Sequence, residues 1–159
     1  MEIAINYEHR EADVANIEIE KLARFVIESE GKPETTEVSI NFVDNESIKQ
    51  LNNDFRGVDL ITDVLSFECD GADDDDFCSD GNASLDIPYE LGDIVIAPDV
   101  AESQALDYGA TFHDEVCLLI THGLLHLCGY DHMEEDEASR MEARERALLS
   151  EFLGREFNL

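Results

Sequence analysis

Three of the chain's five histidines fall within eleven residues, in His122-Gly123-Leu124-Leu125-His126-Leu127-Cys128-Gly129-Tyr130-Asp131-His132. His122 and His126 are four apart, so on a helix their imidazoles share one face, about one turn or ~6 Å from each other. Val116, Leu118, Leu119 and Ile120 precede the pair, and Leu124, Leu125 and Leu127 interleave with it. A helix so rich in apolar residues has to be buried, and the rest of the fold must be arranged around it. Gly129 supplies the left-handed residue that ends such a helix. With the chain turned back there, His132 can return towards the face it has left.

The resulting H-x3-H-x5-H pattern offers three neutral nitrogen donors and no obvious fourth. Three protein ligands with one open position is the arrangement of a catalytic zinc, whereas structural zinc is usually closed by four. The competing explanation is a histidine pair that merely packs or faces solvent. Cys128 could also act as a fourth ligand and make the site structural. In a zinc protease of the H-E-x-x-H type the Glu after the first His is the general base. Here that position is Gly123, so peptide hydrolysis loses its base.

At 159 residues the chain is expected to be a single domain over 1–159 with one real core. No apolar run approaches a membrane span, and the first residues do not read as a signal peptide. A cytoplasmic protein with no membrane partner follows, and its four cysteines, Cys69, Cys78, Cys117 and Cys128, are expected to be reduced. The net charge of −29 argues against indiscriminate binding to nucleic acid. Ten Lys and Arg remain to build any local basic focus for a phosphate-bearing substrate.

Along the chain, Ile3 to Tyr7 alternates as a strand. Val14, Ile17, Leu22, Phe25 and Val26 predict an amphipathic helix over 14–30, stopped at Gly31. Val38, Ile40 and Phe42 form one face of a strand over 37–43. Asp44 or Asn45 caps a short helix whose apolar positions are Ile48, Leu51 and Phe55. Val64 to Phe67 is a short strand. Residues 68–90 carry nine acids and no base and read as a solvated surface loop, the acidic part being 70–88. Asp93 to Ala97 is a core strand, Asp99 to Tyr108 a helix, and Thr111 with Asp114 a capping pair that opens the histidine helix. The last helix runs from about Glu134 to Phe152, with Met141, Leu148, Leu149 and Phe152 towards the core. The fold class is therefore α+β: a four-stranded, mostly mixed sheet packed with about five helices, one of them a zincin-like metal helix.

A zinc on three histidines lowers the pKa of bound water to about 7, so hydroxide is available without a separate strong base. Asp131 beside the third histidine is either a partner that orients an imidazole or a turn residue. Arg56 is either a salt-bridged surface residue or, near the metal, the fork that holds a phosphate and stabilises its developing charge.

The stretch from His122 to His132 resembles the signature of the YbeY family of endoribonucleases, the bacterial rRNA maturation factors. Leu51-Asn52 through Arg56 and Asp59, then Thr62-Asp63-Val64-Leu65-Ser66-Phe67, is similar to that family's second block, and Leu91-Gly92-Asp93-Ile94-Val95-Ile96 to its third. Ile61 departs from the family's usual Pro before Thr-Asp, and the acidic loop is longer. The resemblance implies a zinc-dependent endoribonuclease specific for single-stranded RNA, acting on the 3′ end of 16S rRNA and in ribosome quality control. It implies one Zn2+, or another divalent ion, on His122, His126 and His132, with Arg56 as the basic catalytic residue. The implied partners are rRNA and the small ribosomal subunit, with no DNA. Two other readings stay open: a non-catalytic ribosome-assembly factor with a structural metal, and a zinc hydrolase of other substrates.

Overall fold

The computed structural model describes residues 1–69, 88–131 and 133–157. His132 and almost all of the acidic loop expected over 70–88 lie outside the described residues. Four strands, β1 (Glu2–Tyr7), β2 (Thr36–Phe42), β3 (Val64–Glu68) and β4 (Tyr89–Ile96), form one sheet in the order β1-β2-β4-β3. The first three in that order run parallel, and β3 is antiparallel to β4, so the sheet is mixed as the sequence suggested. Among the described residues there are six helices: α1 (Glu11–Val14), α2 (Ile19–Ser29), α3 (Asn45–Arg56), α4 (Pro98–Tyr108), α5 (Phe112–Leu127) and α6 (Glu135–Leu153). None is long and apolar enough to cross a membrane.

The sheet has apolar residues on both faces. Val38, Ile40 and Phe42 of β2 alternate with half-exposed neighbours and meet α2, α5 and α6 in the main core. A smaller cluster on the other face, Val43, Ile48, Leu65, Val95 and Ala97, seats α3. Each fully buried aliphatic side chain contributes roughly 1.5–3 kcal/mol relative to exposure. The histidine helix α5 lies at the centre of this arrangement, flanked by α2, α4 and α6 and packed on β3 and β4.

Two helix starts follow the expected chemistry. Asp44 accepts the Ser47 N–H at 2.8 Å and caps α3; Thr111 Oγ1 accepts the Asp114 N–H at 3.1 Å and caps α5.

Three expectations need correction. The single helix over 14–30 is two, α1 and α2, separated by a turn in which the Ile17 N–H bonds to Val14 O and that of Ile19 to Ile17 O. Val14, Ile17 and Ile19 are all buried, so apolar spacing runs on across a break in the helix. The fourth strand begins at Tyr89 rather than Asp93, because Tyr89 and Glu90 pair with Thr36 and Glu37 at the polar end of the sheet. On α3, Ile48 is fully buried but Phe55, in line with it, is 68% exposed: the last turn of the helix projects past the apolar cluster beneath it.

Candidate metal and RNA site

α5 carries its two histidines out of the core at the edge of the sheet. His122 and His126 are half-buried while Thr121, Gly123, Leu124 and Leu125 around them are buried. Their ring centroids are 5.9 Å apart, as spacing of one turn requires. Gly123 permits the helix to lie this close to β4. A Cβ there would stand 3.1–3.3 Å from three side-chain atoms of Ile94, itself fully buried. A side chain at this position would point at Ile94 in the core and press on it, so the H-E-x-x-H arrangement is disfavoured in this chain.

Each imidazole is held through Nδ1. His126 Nδ1 donates to the carbonyl of Tyr130 at 2.7 Å, which fixes the proton on that nitrogen because a carbonyl can only accept. The turn at Gly129 (φ 108°) makes this possible by bringing Tyr130 back under the helix, with the Tyr130 N–H bonded to Leu125 O. His122 Nδ1 meets Oε2 of Glu145 at 2.6 Å, and that carboxylate comes from α6 and is buried. Burial of the His122 ring opposes its protonation and is the largest single influence. The hydrogen bond and charge of Glu145, with Asp63 and Glu142 near, outweigh it, and the pKa is raised. With Nδ1 protonated in both rings, the donor lone pair belongs to Nε2. That is the tautomer a metal-binding histidine needs, secured by the carboxylate and carbonyl partners that usually secure it.

The two histidines share a cleft of about 630 Å³ with Phe55 and Arg56 from the end of α3, residues 62–68 from the loop and β3, and Leu127. Arg56 and His122, distant in sequence, therefore line one cavity. Asp63 accepts from the Val64 N–H at 2.7 Å and from Gln104 at 3.3 Å. Glu115, two turns before His122, is buried with Oε2 unpartnered among the described residues, and its pKa is raised by burial first and by Asp63 second.

Among the described residues no group of three His, Cys, Asp or Glu is gathered tightly enough to hold a metal by itself. His122 and His126 supply two donors, and the third expected ligand, His132, is outside the described residues. Burial pushes the Cys128 thiol up to about 11 and the Cys117 thiol to about 12, which disfavours a thiolate at either position.

Sequence reasoning did not single out Glu145. Its signal was present: 145 falls on the same helical stripe as Met141, Leu148 and Leu149, so a carboxylate there has to be buried.

With this geometry in place, the comparison with known proteins is decisive. The family described as Endoribonuclease YbeY matches residues 4–153. The chain belongs to the endoribonuclease YbeY family. It is 42% identical over 135 residues to the Endoribonuclease YbeY of Bacillus velezensis, covering 85% of this chain and 84% of that protein. To the Endoribonuclease YbeY of an Exiguobacterium species it is 39% identical over 153 residues, 96% of each chain. The solution structure of TM1509 from Thermotoga maritima superposes with a TM-score of 0.65 at 27% identity, covering 96% of this chain and 89% of that one. Of the blocks that resemble the YbeY family, Phe55, Arg56 and residues 62–67 of one and His122, His126 and Leu127 of another line the cleft, and a third is β4, on which the histidine helix rests.

Proposed function

We propose that this chain is a metal-dependent endoribonuclease that cleaves single-stranded RNA in the cleft between Arg56 and the histidine pair. The observation that carries this is the shared cavity of Arg56, His122 and His126, each imidazole oriented through Nδ1. His122, His126 and His132 would hold one divalent ion, zinc by the chemistry of three neutral nitrogens. Such an ion supplies Lewis acidity, activating water and neutralising phosphate charge.

The chain's own residues do the rest. Glu145 and the Tyr130 carbonyl keep the Nδ1 protons in place, so the rings need no reorientation when the site is loaded. Arg56, at the C-terminal end of α3, presents a fork of N–H donors to a phosphate in the cleft and stabilises charge as it develops there. Gly123 supplies no carboxylate at the position from which a protease base would act. The name borne by the relatives supports RNA as the substrate. Within that class we propose the precursor of the 3′ end of 16S rRNA on the small ribosomal subunit, in the cytoplasm, together with a part in ribosome quality control. With a net charge of −29, the chain gains little from long-range attraction of the strand, so the local contacts of the cleft would have to hold it, and the subunit would add to its presentation.

The test is cleavage of a single-stranded RNA by protein stripped with chelator and then reloaded with zinc. Activity should vanish on stripping, return on reloading, and be absent from His126→Ala throughout. Undiminished cleavage by the stripped protein or by the variant would overturn the proposal.

A further inference from the structure

Phe55 is 68% exposed although it occupies the apolar register of a helix whose Ile48 is fully buried. It is not loose: its ring stands at 62° to that of Phe67, with centroids 5.2 Å apart. A T-shaped contact uses at most one face of Phe55, so the other is open. Both rings line the cleft that holds Arg56, His122 and His126. Leu60 and Ile61, 65% and 48% exposed, follow on the adjoining loop.

We infer that Phe55, propped on Phe67, is a stacking shelf for one unpaired nucleobase of the RNA; this rests on the function proposed above and adds a binding subsite to it. Phe55 and Arg56 line the same cleft, so a strand whose phosphate meets the guanidinium passes its bases through the space that the ring borders. Stacking also fits the charge of this chain. A protein of net charge −29 gains little from attracting a phosphate backbone, whereas a π-face binds any base irrespective of net charge. The face can be reached only by a base that is not paired and stacked within a duplex, so the shelf selects single strands.

The chain has no tryptophan, so Phe55→Trp places a sole indole on the shelf. Metal-replete Phe55→Trp protein is titrated with single-stranded oligoadenylate and with the same oligomer made abasic, while binding is measured in parallel for wild type, Phe55→Ala and Phe55→Tyr. The expected result is quenching by oligoadenylate and none by the abasic strand. Affinity should fall about five- to a hundredfold in Phe55→Ala and be restored in Phe55→Tyr. If wild type binds the RNA but the indole is unmoved and Phe55→Ala binds equally well, the shelf is overturned and the exposed patch is left to a protein partner. If wild type binds no single-stranded RNA, the RNA function itself fails, and the shelf with it.

Discussion

Glu145 places Oε2 2.6 Å from Nδ1 of His122, across the packing of α6 on α5. The carboxylate is only 8% exposed and lies on a stripe of apolar side chains. An isolated buried carboxylate is costly, so its retention beside an imidazole links the last helix of the fold to the chemistry of the cleft.

Removing that partner should loosen the metal. Glu145→Ala is expected to weaken zinc retention about 10- to 100-fold, as loss of such orienting groups generally does. Glu145→Gln should lose less, since the amide oxygen still accepts the Nδ1 proton. Competition against a chelator of known affinity measures both, and equal retention by Glu145→Ala and wild type would remove Glu145 from the site.

Gly123→Glu tests why no carboxylate follows the first histidine. The side chain meets Ile94 at once, and overpacking combined with a buried charge should cost about 3–5 kcal/mol. For a chain of this length that corresponds to a fall in Tm of roughly 10 °C. An unchanged Tm in a thermal melt would mean that α5 does not sit on β4 as described.

Acid stability should report the pair formed by Asp114 and Arg155, whose atoms approach to 2.6 Å. Burial opposes ionisation of Asp114 and is the largest single influence, but Arg155 and His113 outweigh it and hold the carboxyl below its usual value. A lowered folded-state pKa gives stability that is present above the unfolded value, about 3.9, and lost as pH falls through the folded one. Asp114→Asn should therefore be less stable than wild type near neutrality, with the gap closing below pH of about 4. Urea midpoints across that range would show it, and a gap independent of pH would contradict it.

Much of the fold was legible because burial and periodicity agree. The α5 helix, its Thr111 cap and its end at Gly129 could be read directly, as could the face of β2 formed by Val38, Ile40 and Phe42. The turn between α1 and α2 could not, because Val14 and Ile17 keep the apolar spacing while the backbone leaves the helix. The start of β4 was hidden by polarity: Glu90 is exposed and reads as loop, yet its backbone pairs with β2. At the site, His122 and His126 announced themselves by spacing, and Arg56 by the block around it. Glu145 was missed because a glutamate in an acidic chain is ordinarily solvated. Phe55 was misplaced because periodicity reports a helix face and not how far the underlying sheet extends.

The most direct measurement is cleavage of an end-labelled single-stranded RNA by wild type and Arg56→Ala, prepared identically and matched in zinc content. Arg56 is exposed at a helix end, so the variant should keep its fold and its metal. The expected result is a loss of about 10²–10³ in kcat, the cost of one group that stabilises developing charge. Equal cleavage by both proteins at equal metal content would contradict a catalytic cleft built between Arg56 and the histidine pair.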